Sequence, residues 1–402
     1  MQKICLVVAG LYIQLLSAFS QSMPAGDTSQ YKSRKLKLEE VNLVSSYYHQ
    51  NGKNAAVTGG IGSEKLTDIA NGIDLKFIKY DKKYRLHTLT AELGVDTYTS
   101  ASSDMIDSKA NSSASSHDIR VYPAVSWSME NEKTGNTIGL NASASKEFDY
   151  LSFGLGTSFS KKSQDKSREV GLKAQVYLDQ VSLIAPVELR TINTSEGRSD
   201  HDYATTSRNT FSGSFSLSQI VNQRFQFMLL LDLAYQQGFL SLPFHRVYFN
   251  NNSLKAESLP GTRFKIPVGI RANYFAGDKI IFRTYYRFYD DDWGLIAHTA
   301  ELETVVKITP FLSVSPFYRY YTQTAVKYFA PYLVHQVTDT YYTSNYDLSQ
   351  FNSQFFGAGI HFAPLNGIFG NPHIGMIEFR YGHYTRSNSL NSDIITMNLK
   401  FK

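Results

Sequence analysis

The last ten residues of the chain run from Asp393 to Lys402, and from Ile395 onward apolar and polar side chains alternate strictly. One face would carry Ile395, Met397, Leu399 and Phe401, and the other Thr396, Asn398, Lys400 and Lys402. A period of two is that of a β-strand lying between an apolar and a polar environment. Such a strand at the end of a chain is typical of the closing strand of a transmembrane barrel. It must pair with the first strand, because an open sheet edge cannot persist in hydrocarbon.

The first residues have the pattern of a secretory signal, which we predict over residues 1–20. Lys3 precedes an apolar run, and small residues at Ala18 and Ser20 lie just before the expected cleavage point, which precedes Gln21. Cys5, the only cysteine, lies inside this segment, so the mature chain would hold no disulfide, iron–sulfur cluster or zinc thiolate. Residues 21–37 are predicted to form a flexible periplasmic lead-in, and residues 38–402 the barrel.

The composition separates a barrel from a helical membrane protein. A mean hydropathy of -0.27 is too polar for a bundle of membrane helices, yet aromatic residues make up 14% of the chain. Barrel strands place only alternate residues in lipid, and their aromatic girdles raise the number of Tyr and Phe. A soluble array of β-sandwiches is the alternative, since alternating strands serve both folds. The net charge of +5 shows no clustered basic face, so no nucleic-acid partner is expected.

Period-two segments recur along the whole chain and number about sixteen. They lie near 38–49, 71–80, 84–99, 118–130, 136–147, 150–161, 168–182, 208–220, 224–238, 262–276, 279–291, 295–308, 311–325, 350–363, 373–386 and 391–402. An even number is what single-chain bacterial barrels require. The sequence therefore predicts an all-β fold, a transmembrane antiparallel β-barrel of about sixteen strands.

The lengths of the connections give an independent check on this topology. Counting backward from the last strand sends the long connections to one side: 50–70, 100–117, 183–207, 239–261 and 326–349. The tight connections, such as Asn222-Gln223 and Thr309-Pro310, fall on the other side. Long outer loops with short periplasmic turns are typical of barrels in the outer membrane of Gram-negative bacteria. The expected partners are then outer-membrane lipid and, during biogenesis, the barrel-assembly machinery.

Alternation also predicts which charged residues line the lumen. The main candidates are Asp96, Arg271, Arg283, Arg287, Glu301, Glu303, Arg319 and Arg380. Buried charges need water or one another, because an isolated one is costly. They would either brace the wall as ion pairs or line a solvated passage, in which arginines on strands 263–291 favour anions. We therefore predict a pore or solute-binding barrel for a small polar solute, and no enzyme. An outer-membrane hydrolase with Ser, His and Asp assembled across strands is the alternative.

One outer loop is unusually aromatic. It runs from Gly238 to Phe249 and contains Phe244, His245, Arg246, Tyr248 and Phe249. An exposed loop of this composition either folds inward, which would plug or narrow the lumen, or meets a ligand or a surface partner protein.

From about residue 38 to 402 the chain resembles DUF3570, a family of bacterial outer-membrane proteins whose biochemical role is not established. The matching stretches are Val44–Gly52, Val57–Gly62, Asp96–Asp104, Ser207–Asn209 and Gly238–Phe249. The resemblance implies the same barrel fold. It supplies no activity, since a fold alone does not determine one.

Within these stretches, Asp96-Thr97-Tyr98-Thr99-Ser100-Ala101-Ser102 looks like the acceptor sequence for covalent flavin attachment. The usual pattern is Asp-x-x-Ser/Thr-Gly-Ala-Ser/Thr, so the resemblance implies FMN esterified to Thr99 beside Asp96. Ser100 replaces the usual glycine, whose conformational freedom it lacks. A flavin would make the protein a surface redox or assembly component, and an ordinary Ser/Thr-rich loop is the alternative.

A calcium site is the other candidate for a cofactor. Asp104 and Asp107, with Asp118, bracket one Ser-rich loop, and calcium binds carboxylate and carbonyl oxygens. No EF-hand spacing is present, and solvated loop carboxylates are the alternative.

Overall fold

A single closed sheet forms the body of the protein. The computed structural model describes residues 34–99, 117–189 and 203–401, so the predicted signal peptide and nearly all of the lead-in lie outside the described part. Sixteen strands close into an antiparallel barrel. The first nine are β1 (Lys37–Asn51), β2 (Leu66–Tyr80), β3 (Leu86–Thr99), β4 (His117–Asn131), β5 (Asn136–Lys146), β6 (Tyr150–Lys162), β7 (Arg168–Ser182), β8 (Thr205–Asn222) and β9 (Phe225–Gly238).

After β9 the chain forms a short hairpin that is not part of the barrel sheet. The hairpin is β10 (Arg246–Tyr248) with β11 (Leu254–Ala256). The barrel then continues with β12 (Thr262–Ala276), β13 (Ile280–Asp291), β14 (Ile296–Lys307), β15 (Leu312–Gln323), β16 (Phe351–Phe362), β17 (Ile374–Arg386) and β18 (Leu390–Phe401). Short 3-10 helices occur at Ala56–Thr58, Val187–Leu189 and Tyr346–Leu348. Within the described ranges, no helix is both long enough and apolar enough to cross a membrane.

The outer wall is apolar and the lumen is polar. On β9, Leu229, Leu231 and Leu233 are all exposed on the outside, while Asp232 lies between them on the inner side of the strand. Strands alternate their side chains between the two faces, and here the apolar set faces outward. A closed sheet with this polarity suits hydrocarbon outside and water inside. The sixteen-stranded prediction is confirmed, and a sandwich of two packed sheets is excluded.

The first and last strands close the barrel as the alternation predicts. β18 pairs with β1 from Val41 opposite Phe401 to Asn51 opposite Asn391. On one face of this seam Val41, Leu43 and Phe401 form a buried apolar cluster. On the other face Lys400 Nζ lies 2.5 Å from Glu40 Oε2. The seam therefore combines a backbone ladder, apolar contacts and an ion pair, and no sheet edge is left open.

The five long connections predicted for one side of the barrel all lie at the same end, the loop end, and the opposite end is called the turn end. The loop end carries the connections 52–65, 100–116, 183–204, 239–261 and 324–350, and the turn end carries tight ones such as 223–224 and 277–279. The predicted sorting is confirmed. One turn-end connection, 363–373, is longer than predicted.

Candidate functional site

Two loops fold together at the loop end and form a small core of their own. Val247 and Phe249, from the connection between β9 and β12, are buried against Tyr342 from the connection between β15 and β16. Tyr342 N donates to Ser258 O at 2.7 Å, and Ser258 N donates back at 3.1 Å. These two connections (239–261 and 324–350), together with the β1–β2 connection (52–65), are called the cap below.

The cap crosses the mouth of the barrel. Arg246, in the β9–β12 connection, donates from Nη1 to Val57 O in the β1–β2 connection at 2.7 Å. In the closed ring of sixteen strands, the neighbouring pair β9 and β12 lies opposite the neighbouring pair β1 and β2. Sixteen tilted strands give a barrel roughly 30 Å across, so this contact joins loops from opposite walls. The cap therefore lies over the lumen, and the predicted inward folding of the aromatic loop agrees with this arrangement.

Two glycines allow the β1–β2 connection to dock. Gly59 and Gly60 have φ values of +83° and +85°, in the left-handed region that favours glycine. A Cβ on Gly59 would lie 2.6 Å from the Tyr248 ring, and one on Gly60 would lie 2.7 Å from Ser344 O. Any side chain here would push apart the three connections of the cap.

Arg246 is the main polar link within the loop end. Its Nη2 lies 2.8 Å from Glu188 Oε2, and its Nε donates to Glu188 Oε1 at 3.3 Å. Glu188 belongs to the β7–β8 connection, so one buried guanidinium joins three loops. A planar fork that binds a carboxylate in two places holds orientation as well as charge.

Glu257, whose backbone N–H donates to the carbonyl of His245 next to Arg246, is almost completely buried. Leu242 N donates to its Oε2 at 2.8 Å, Thr343 Oγ1 donates to its Oε1 at 2.5 Å, and His245 Nδ1 lies 3.5 Å away. Burial opposes ionisation, but the contacts with His245, Thr343 and Leu242 outweigh it and hold the pKa of Glu257 below its usual value. A charged Glu257 therefore ties together both loops of the cap core.

Glu64, at the edge of the cap, has the opposite tendency. Burial and the neighbouring Asp347 carboxylate raise its pKa to about 7, against the attraction of Arg386, the Asn54 backbone and His245. Near neutral pH this carboxyl therefore changes its charge beside the Asp347–Arg386 ion pair.

We expect Glu64→Gln to remove a pH dependence of cap stability. Because the folded-state pKa of Glu64 lies above the usual 4.5, the folded state holds the extra proton between about pH 4.5 and 7. As pH rises across that window this extra proton is lost, and the free energy of unfolding should fall by at most ~3 kcal/mol. Thermal unfolding measured from pH 5 to 8 should show this slope in the wild type and a flatter one in Glu64→Gln. Asp165→Asn is the control, since the pKa of Asp165 is about 2. An unchanged slope in Glu64→Gln would contradict the assignment.

Directly under the cap lies a cavity of about 670 Å³, called the upper cavity below. Its walls are inward side chains of β1 and β13 to β18, and Asp347 of the cap contributes to its lining. Its cations are Arg287, Arg319 and Arg386, and its rings are Tyr48, Tyr285, Tyr321, Phe351, Phe355 and Tyr384. The upper cavity is thus cationic, aromatic and partly closed.

The three arginines of the upper cavity differ in their partners. Arg386 Nη1 lies 2.5 Å from Asp347 Oδ1, and Arg319 Nε lies 2.6 Å from Glu301 Oε2. Both guanidiniums also stack on rings, Arg386 at 4.5 Å from the Phe351 centroid and Arg319 at 5.6 Å from that of Phe355. Arg287 makes no ion pair or hydrogen bond within the described chain, and its Nε is buried without a partner.

A second cavity of about 350 Å³, the lower cavity, lies near the turn end. Here Glu303 binds two cations, with Arg283 Nη1 at 3.2 Å and Arg380 Nη2 at 3.0 Å. The Arg380 guanidinium also lies 4.4 Å from the centroid of Phe317. These contacts correspond to the wall-bracing role considered for the inward charges.

The other two residues predicted to line the lumen make contacts with tyrosines. Asp96 Oδ1 accepts a hydrogen bond from Tyr122 Oη at 2.7 Å, and Arg271 stacks 5.1 Å from the centroid of Tyr285. Asp96 and Thr99 lie three residues apart on β3, so their side chains point to opposite faces. Thr99 Oγ1 accepts from Thr67 N at 2.9 Å. The motif for flavin attachment continues beyond the described residues, so the attachment of FMN to Thr99 stays a prediction.

The residues predicted to bind calcium are only partly described. Asp104 and Asp107 lie outside the described residues, whereas Asp118 lies with Glu147 and Asp149, their oxygens within 4.8 Å of one another. Tyr98 Oη donates to Glu147 at 2.8 Å, and Arg120 Nε lies 3.4 Å from it. These protein groups already bind Glu147, and calcium binding here stays a prediction.

Several residues of the cap and the upper cavity were not predicted. Arg386 shares the inward parity of Glu378 and Arg380, a signal that was available but lay at the end of a predicted strand. Asp347 and Glu188 lie in loops, where no periodicity indicates the direction of a side chain.

Comparisons with known proteins give one sequence match and several loose structural ones. A family model described as "Protein of unknown function (DUF3570)" matches residues 82–388. No curated protein matches the chain. Among solved structures, the chain is similar to OccK1 (OpdK) of Pseudomonas aeruginosa, with 9% identity, TM-score 0.41, and coverage of 92% of this chain and 99% of that one.

Two further solved structures show a similarly loose overlap. A BenF-like porin from Pseudomonas fluorescens Pf-5 gives 8% identity, TM-score 0.44, and coverage of 92% and 100%. The siderophore receptor PirA of Acinetobacter baumannii gives 11% identity, TM-score 0.46, and coverage of 87% and 53%. At these identities and TM-scores none of the overlaps assigns a solute to this chain.

Proposed function

The chain belongs to the DUF3570 family, and from that premise we propose that it is an outer-membrane barrel that passes a small polar solute through its lumen. The observation that supports this most is the pair of charged cavities, upper and lower, both lined by inward side chains of β13 to β17. Paired charges are explained by bracing of the wall alone. A cavity that contains an unpaired guanidinium, in contrast, requires water or a solute.

The cap makes this a closed rather than a freely open pore. Its loops meet across the mouth, through Arg246 and Val57, and its Asp347 lines the upper cavity. A solute entering from the loop end therefore needs the cap to move. The Arg246–Glu188 link and the Glu257 contacts are the interactions that oppose this motion.

Solute flux into proteoliposomes tests the proposal. The full protein should admit a small sugar slowly, and replacing residues 240–258 by a short Gly-Ser linker should raise the rate several-fold, because the linker no longer crosses the mouth. Replacing residues 365–370 in the longest turn-end connection is the matched control and should leave the rate near that of the wild type. If the variant without the cap loop still closes into a barrel but passes no solute, the proposal is wrong.

A further inference from the structure

The upper cavity has the chemistry of a ligand site, and we infer that its ligand is a monocyclic aromatic carboxylate whose carboxylate is bound by Arg287. This inference rests on the proposed function, since it names the class of solute that the barrel would admit. It is carried by three observations: the unpaired guanidinium, the ring lining and the charge balance.

Arg287 is the group that lacks a partner. Its Nε is buried, so this donor is shielded from water, and no described residue accepts from it. Leaving a buried donor of a charged group unbonded is costly, and an anion bound there would remove the cost. A carboxylate matches the planar fork of a guanidinium in two places, which inorganic spherical anions do not. Thr299, directly opposite Arg287 in the β13–β14 pair, adds a hydroxyl beside the same space.

The lining favours a flat, apolar ligand body. Tyr321 and Phe351 lie with centroids 5.6 Å apart, and Phe355 and Tyr384 lie 6.4 Å apart. Rings prefer offset or edge-to-face contact at such distances, so an aromatic ligand can extend this set, whereas an aliphatic one gains only area. A volume of about 670 Å³ is within the range of small-molecule sites.

The charge balance limits the ligand to a single negative charge. The two carboxylates Asp347 and Glu301 are each paired with an arginine, which leaves one of the three cations unneutralised. A dianion or trianion would place its second charge near Asp347 in a partly water-excluded space, where like charges repel more strongly than in bulk water.

Calorimetric titration of the full chain in detergent with benzoate tests the inference. Benzamide keeps the shape without the charge, and cyclohexanecarboxylate keeps the charge without the aromatic ring. Inorganic phosphate is an anion that can also bind a guanidinium in two places but has no ring. We expect benzoate to bind best and the other three to bind about 10-fold or more weakly. Arg287→Gln should weaken benzoate binding about 10- to 100-fold, because it removes a charge-assisted pair of hydrogen bonds.

Two further variants keep the test decisive. Arg224→Gln changes an exposed arginine at the turn end and should leave benzoate affinity unchanged. Arg287→Lys retains the charge but not the fork, and it should give an intermediate affinity even if Arg287→Gln does not fold. Equal binding of benzamide and benzoate, or unchanged benzoate affinity in every Arg287 variant that folds, would overturn the inference.

The same preparations separate this inference from the proposed function. Flux of a neutral sugar without any benzoate binding would refute an aromatic carboxylate as the ligand, and it would still support the proposed pore function. Benzoate binding that depends on Arg287, in a protein whose cap-deleted form passes no solute, would support the site and refute the pore.

Discussion

Replacing Arg246 with alanine is expected to loosen the cap and open the barrel mouth. The change would leave Val57 O and the Glu188 carboxylate without their shared donor. Breaking a fully buried ion pair costs about 3–5 kcal/mol, but 45% of the Glu188 side chain is exposed, so we expect roughly 2–3 kcal/mol of lost cap stability. Limited proteolysis of the loops should become several-fold faster, and ion conductance should rise.

Two other arginine substitutions show whether the effect is specific to the fork. Arg246→Lys keeps a positive charge but cannot bind Glu188 in two places while reaching Val57, so it should fall between wild type and alanine. Arg224→Ala, at the turn end, should behave like the wild type. Loops of Arg246→Ala that stay as resistant to protease as those of the wild type would contradict a cap held by this residue.

Replacing Asp291 with alanine is expected to cause the largest loss of stability. The Asp291 side chain has no exposed surface and accepts from Arg263 Nη2 at 2.5 Å, Tyr289 Oη at 2.8 Å and Leu295 N at 3.0 Å. Its removal would leave Arg263, itself only 12% exposed, as an uncompensated charge. Losing one partner of a buried pair typically costs about 3–5 kcal/mol. Urea unfolding in lipid vesicles, followed by the gel mobility of folded and unfolded barrels, measures the loss.

The adjacent residue provides the matched control. Asp290 is next to Asp291 on β13 but faces the outside of the barrel, so Asp290→Ala should change the unfolding free energy by about 0.5 kcal/mol or less. Similar losses in both variants would show that the effect comes from the strand end and not from the buried pair.

The barrel could be predicted from the sequence because its two rules are local and repeated. Alternation along β9 places Leu229, Leu231 and Leu233 outside wherever the strand lies in the sheet. Parity then orders the connections, since each antiparallel strand reverses direction. The predicted strand from 262 to 276 has the bounds that the structure gives to β12.

Inward folding of the aromatic loop was one of the two predicted outcomes, but the contacts that hold the cap could not be predicted, because they are between loops and follow no period. Arg246 and Glu188 are 58 residues apart, and Arg246 and Val57 are 189 apart. The hairpin of β10 and β11 is too short to give an alternating pattern. Gly59 and Gly60 indicate a turn, but not that Tyr248 and Ser344 dock against it.

The chemistry of the upper cavity lies between these cases. Parity directs Arg287 inward, but its lack of a partner depends on Gly269 and Thr299 being opposite it on the neighbouring strands. That register is a property of the assembled sheet. Asp347 belongs to a loop of the cap, so its pairing with Arg386 could not be predicted from the sequence either.

The most direct test of a capped, anion-favouring lumen is the reversal potential of single channels of Arg246→Ala in a planar bilayer under a tenfold KCl gradient. We predict a resolved conductance whose reversal potential has the sign expected for chloride permeation. Adding Arg287→Glu should shift the reversal potential toward the value expected for potassium permeation. No conductance from a folded Arg246→Ala barrel, or a potassium-selective potential that Arg287→Glu does not move, would contradict it.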